Sequence, residues 1–455
     1  MVAQLYLKSA VLVFLYWFLT HPVTAQASFP EHSNYTDLLE RAKQENKPLF
    51  LIIHQQDEHQ FIPFKGSVSK KAKDKLDAQF VAGIVQLHRD DFNHPLHQTF
   101  YLNNPIYLFT DKDGIPLLRH NKAVDGAAEL EALIDSASTL AKGETLGKLS
   151  AQYHKGMRQQ SLLKKMLDHY QAFDQYTDQQ VLSDYMAQLT VQELNNFETV
   201  IFLLSCGPVY NSKTYLLART NGKMVDSLYA TLPLPRRKKI NNRIIQQTFR
   251  EALNKKDLSL AHSAGYFAYQ TWTPNYLRGA ISQGFYPLEY KRLTRDTVAY
   301  VEMARSFYND RFYRISPDSM SRIDFAQDRQ AKFSRRGPVL DSAQHAAFKQ
   351  SVEKGRPYYL EDQSRNLSYG AKQLLVFAKN NPEALFDAIR WQKKAIDQRP
   401  GVAQYHATLA QLLYQVGFYA QAEAEQQQAI TLSRSNKRRH QEMQTVLKQI
   451  RSRLL

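Results

Sequence analysis

The chain has 455 residues, enough for two to four domains at roughly 100–200 residues each. Its one cysteine, Cys206, excludes an intrachain disulfide, a CxxC redox pair and a cysteine-rich zinc site. With 59 Lys and Arg against 43 Asp and Glu the net charge is +16, a balance that suits nucleic acid, an anionic membrane surface or solubility alone.

The N-terminus bears on that choice. Lys8 is the only charge before Ala27, residues 10–19 (AVLVFLYWFL) are apolar, and Ala25-Gln26-Ala27 has small residues flanking a cut site. This is the order of a secretory signal peptide, and the apolar run is well short of the roughly 20 residues that span a bilayer. The expectation is a signal peptide over residues 1–27 and export, most simply to a periplasm. Nucleic acid is then not an expected partner.

Residues 33–140 alternate between helical and strand patterns. Leu38, Leu39 and Ala42 share a helical face that ends before Pro48. Residues 49–53 (LFLII) and 80–87 (FVAGIVQL) are apolar runs of strand length, as expected of strands covered on both faces. A Lys-rich helix over 69–79 separates them. Residues 106–109, the turn Asp111-Lys112-Asp113-Gly114 and residues 115–118 read as a hairpin. A closing helix carries Ala127, Leu130, Leu133, Ile134 and Ala137. The fold class is α/β here, followed by an all-α region. Helical periods recur at 162–170, 179–186, 197–204, 240–253 and 297–307, punctuated by Pro208, Pro233, Pro235, Pro274 and Pro287. Residues 315–367 are expected as a linker or irregular segment.

The C-terminal part repeats with a period of 34 residues. Leu375 and Leu409, Ala388 and Ala422, and Ala395 and Ala429 are each that far apart. Two amphipathic helices per 34 residues is the tetratricopeptide layout, and Ala410, Gly417 and Tyr419 fit it in the second unit. Met443, Val446, Leu447, Ile450 and Leu454 form one face of a terminal helix suited to capping the stack. Two units are fewer than the three usually needed, so the preceding helices are expected to stack on them.

Residues 39–53 (LERAKQENKPLFLII) resemble the opening of exported thioredoxin-like domains, and residues 104–114 (NPIYLFTDKDG) resemble that family's cis-proline loop and hairpin. Such a domain followed by a long helical region resembles proteins common in Bacteroidetes-type bacteria. The resemblance implies a thioredoxin-like domain over 28–142, with a helical domain at 143–314 and repeats at 368–455. It also implies a cis Pro105 beside a peptide groove lined by Asn104 and Ile106. The family's CxxC would fall in residues 54–61, where His54, Asp57, Glu58, His59 and Phe61 stand and no cysteine is found. Disulfide exchange needs a low-pKa thiolate and a resolving thiol, so this domain alone cannot perform it.

These features lead to a non-catalytic binding or scaffold protein without a cofactor, engaging a protein or peptide. One alternative is an accessory of thiol–disulfide exchange, with Cys206 acting beside an external thiol; its apolar setting (IFLLSC) fits a buried structural cysteine instead. The other is metal handling by His54, His59, His94 and His97, with His88, Asp90 and Asp91 nearby, against which stands the reading of surface loop residues. Basic runs at 236–239 and 437–439 could meet an anionic membrane surface, an acidic partner or nucleic acid, or form a solvated face.

Overall fold

The computed structural model describes residues 33–55, 64, 68–88, 91, 93–102, 106–273, 275–320, 322, 342–434 and 436–455. The expected signal peptide, Asp57, Glu58, His59, Phe61, Asp90, Asn104 and Pro105 lie outside them, and with them the question of a cis bond at Pro105. Contacts divide the chain into two compact units, one ending at Pro233 and one beginning at Leu234, with Val209–Ser212 belonging to the second. The division therefore falls later than residue 142, and the helices up to Pro233 belong to the unit that holds the sheet.

In the first unit, α1 (Tyr35–Glu45) starts at Asn34, whose side chain accepts from Thr36 N, and stops at Asn46 in the left-handed region. Then come β1 (Leu49–Gln55), α2 (Lys70–Gln79), β2 (Val81–Leu87), the short α3 (Pro95–Thr99), β3 (Ile106–Thr110), β4 (Pro116–His120) and α4 (Gly126–Lys142). The sheet order is β2-β1-β3-β4. β1 and β2 are parallel, while β3 is antiparallel to both β1 and β4. Alternation along β1 sends Leu49, Leu51 and Ile53 to one face, against Leu38 and Ala42 of α1 and Leu96 beside them. Phe50 and Ile52 go to the other, against Leu76 of α2 and Leu130 and Ile134 of α4. Helices on both faces explain why residues 49–53 of β1 are apolar without a break.

The chain then runs through α5 (Leu146–His154), α6 (Gln160–Ala172), α7 (Gln179–Met186), α8 (Val191–Leu194), α9 (Phe197–Ser205), α10 (Lys213–Ala218) and α11 (Gly222–Thr231). The turn after α6 returns to the sheet domain. Phe100 and Gln175 form an antiparallel bridge, Tyr101 N donates to Asp174 O at 2.8 Å, and Tyr176 N donates to Thr99 O at 2.9 Å. Arg119 of β4 reaches across, donating to Phe173 O at 2.7 Å and Tyr101 O at 2.9 Å.

The second unit contains α12 (Leu234–Lys255), α13 (Leu258–Thr271), α14 (Tyr276–Leu293), α15 (Thr297–Tyr308), a π-helical turn (Asn309–Tyr313), α16 (Ser342–Phe377), α17 (Pro382–Gln398), α18 (Ala403–Gln415), α19 (Tyr419–Leu432) and α20 (Lys437–Arg451). Two expectations are corrected. Residues 342–367 are not a linker, because they belong to the single helix that runs on to Phe377. Pro287 punctuates nothing and sits inside α14. A proline there cannot donate to the carbonyl four residues back, that of Gln283. At that carbonyl α13 comes close: a Cβ on Gly265 would stand 2.4 Å from Gln283 O.

Ala388, Ala395, Ala410 and Ala422 are fully buried in one core with Leu409, against which Leu375 packs, and Ala429 is fully buried in a second cluster with Ala403, Ala407 and Met443. Gly417 has φ +85° in the turn before α19. α15 and the π-helical turn pack on α16 and α17. Tyr300, Tyr308 and Phe312 share a core with Leu367, Leu374 and Trp391, and Trp391 Nε1 donates to Asn309 Oδ1 at 2.8 Å.

Candidate functional site at the sheet edge

Because β1 and β2 are parallel and β3 runs against β1, one edge of the sheet collects the C-terminal ends of β1 and β2 and the start of β3. His54 pairs with Gln86 there, and Ile53 pairs with Ile106. Open α/β sheets bind ligands outside the carboxyl ends of their parallel strands.

The histidines expected to converge at this edge do not all do so. His54 is not a loop residue but the sixth residue of β1, and it is buried. Strand alternation places it on the face of Phe50 and Ile52. His94 and His97 belong to the other face, since Leu96 between them packs with Leu51 and Ile53. The sheet itself therefore stands between His54 and that pair. Among the described residues, no three His, Cys, Asp or Glu side chains are grouped to hold a metal ion.

His94 and His97 have structural uses. His94 caps α3: its Nδ1 accepts from Leu96 N at 3.2 Å, and its ring lies 5.8 Å from that of Tyr35. His97 Nε2 donates to the His88 carbonyl at 3.2 Å, which fixes its tautomer. Burial holds both imidazoles below the usual histidine range; for His97 the His88 carbonyl and Asp91 oppose it, while His94 adds to it. The cap requires an unprotonated Nδ1 on His94, whereas the carbonyl contact of His97 favours the protonated ring and its burial opposes that.

Ile106 is a core residue rather than a groove lining, packed with Ile53, Leu87 and Leu108. Cys206 ends α9 and is fully buried. Gln171 Nε2 donates to its Sγ at 3.0 Å, and Thr177 Oγ1 donates to its carbonyl at 2.5 Å. The basic run at 236–239 opens α12 and that at 437–439 opens α20.

Sequence reasoning missed two features. One is Arg119, whose bonds to Phe173 O and Tyr101 O have no signal in the sequence. Gln392 and Gln426 are both fully buried and 34 residues apart, so the repeat itself could have flagged them. Each amide donates to the next helix, Gln392 to Tyr405 O at 2.9 Å and Gln426 to Met443 O at 2.8 Å.

Comparison of the chain with family models, with curated proteins and with solved structures gave no match.

Proposed function

We propose that this is an exported, non-catalytic binding or scaffold protein, with a thioredoxin-like body that has lost its dithiol and a tetratricopeptide-like stack that engages a protein or peptide. The observation that carries the reading is the state of the only thiol. Cys206 lies buried at the end of a helix and is held by Gln171, so no attacking sulfur is presented to a substrate. The order β2-β1-β3-β4, with β1 and β2 parallel and an antiparallel hairpin beside them, supports the thioredoxin-like body. The hairpins α16–α17 and α18–α19, with buried alanines at 34-residue spacing, support the stack. Helical stacks of this kind present extended surfaces to other chains.

The test is an insulin-reduction assay on the intact protein, paired with crosslinking and mass identification of bound chains. No turnover above the uncatalysed rate and one recurrent crosslinked protein are expected. Reductase turnover that disappears in Cys206→Ser would overturn the binding-only reading.

A further inference from the structure

The basic excess is confined to one unit. Residues 1–233 hold 22 Lys and Arg against 24 Asp and Glu, whereas residues 234–455 hold 37 against 19. The helical unit is therefore +18 and the sheet-containing unit −2.

One end of the repeat stack combines this charge with exposed apolar side chains. The turns after α16 and after α18 lie together there, since Gln415 Nε2 donates to Lys379 O at 3.5 Å. Val376, Phe386 and Phe418 are 58%, 42% and 44% exposed. The rings of Phe386 and Phe418 stand 6.4 Å apart on two different hairpins. Tyr419 is exposed beside Phe418, and the end of the chain returns to the same place: the Arg453 guanidinium lies 3.4 Å over the Tyr419 ring, and Leu455 N donates to Tyr414 Oη at 3.3 Å. Leu454 is exposed next to it. Lys379 is exposed in the turn after α16, while Arg390 pairs with Asp387 and the exposed Glu383 pairs with Arg305.

We propose that this end of the stack is a docking surface for an anionic lipid bilayer. Exposed aromatic and aliphatic side chains with Lys379 and Arg453 beside them, on a unit of net charge +18, match a membrane interface, where apolar tips enter the acyl boundary and cations meet headgroup phosphates. Charge complementarity selects the occupant. A second copy of the chain would bring another +18 unit against this one, whereas an anionic bilayer supplies both the apolar depth and the opposite sign. Among the described residues no helix is long and apolar enough to cross a membrane. The inference does not depend on the protein or peptide partner proposed above.

The test is cosedimentation of the full chain with vesicles of phosphatidylcholine containing phosphatidylglycerol, and with pure phosphatidylcholine vesicles. Binding is expected to the anionic vesicles, to weaken with salt, and to fall about tenfold or more in Phe386→Ser/Phe418→Ser. Both side chains are exposed, so the variant should keep the parent's thermal melt, which is measured alongside. Three outcomes would overturn the proposal: no binding to anionic vesicles, equal binding to neutral ones, or binding undiminished in the double variant. Retention by soluble polyglutamate with vesicles unbound would also overturn it, and would assign the surface to an acidic protein.

Discussion

Arg119 carries a full charge on a side chain that is 1% exposed. Its guanidinium bonds to two carbonyls from different segments and to Asn121 Oδ1 at 2.8 Å, with Asp174 4.0 Å away. Replacement by Met keeps the stem but leaves those carbonyls without their donor. Arg119→Met should destabilise the sheet-containing unit by about 2–4 kcal/mol, read from urea denaturation. A change below about 0.5 kcal/mol, the range of ordinary surface substitutions, would mean that water replaces the guanidinium. The histidines give a pH dependence at the same scale. Burial lowers the folded-state pKa of His94, His97 and His169, so the unfolded chain takes up protons first as pH falls. The stability that the neutral rings confer is present above about pH 6.5 and is lost as pH falls through that value toward the lower folded ones. The urea midpoint of this unit should therefore drop between about pH 7.5 and about pH 5.5. In His97→Gln the drop should be smaller but not absent, since His94 and His169 remain. An unchanged drop would place the proton uptake elsewhere. Neither effect was legible from the chain, because a residue type says nothing of its burial until distant segments have been brought against it.

At the scale of elements, much was legible. The apolar runs at 49–53 and 81–87 are strands because both faces of the sheet are covered, and the hairpin turn lies at residues 111–114. What could not be read was tertiary compensation. Pro287 looks like a break, but the carbonyl it cannot bond faces the backbone of Gly265, where a missing Cβ lets the two helices meet. Gly265→Ala puts a methyl group 2.4 Å from that oxygen and must part α13 from α14. A loss of about 1–3 kcal/mol is expected in the helical unit, against the slight gain that alanine would bring to an isolated helix. A stabilised variant would show that the close approach is absent in solution. The repeat glutamines separate packing from hydrogen bonding in the same way. Gln426 makes one amide donation, while its Oε1 is buried without a partner. Gln426→Met keeps the volume and removes both the bond and the orphaned oxygen. It should change the urea midpoint by less than about 1 kcal/mol in equivalent stability, whereas Gln426→Ala, which opens a cavity, should cost about 2–3 kcal/mol. Equal losses in the two variants would mean that the hydrogen bond, rather than the filled volume, holds the helices together at this position.

At the scale of the whole chain, a net charge of +16 hides a sheet-containing unit near neutrality and a helical unit at +18. The total was visible from composition, but its segregation was not, because the boundary between units follows contacts rather than the change of secondary-structure class at about residue 143. The segregation predicts that the two units respond differently to salt. Within the helical unit, Arg305 bonds to the buried Asp387 at 2.7 Å and Arg451 bonds to Glu423 at 2.7 Å, yet cations outnumber such partners about two to one. The unmatched cations repel one another in the folded state more than in an expanded one, and salt screens that repulsion over a Debye length of about 10 Å at 0.1 M. Scanning calorimetry should therefore show one transition that rises by a few degrees between about 0.02 M and about 0.3 M sodium chloride and another that scarcely moves. Gly265→Ala identifies the first as the helical unit, because it should lower that transition alone. If both transitions moved together, the charge would not be partitioned as the contact units imply. If only the other moved, local ion pairs in the sheet-containing unit would matter more to its salt response than net charge does to that of the helical unit.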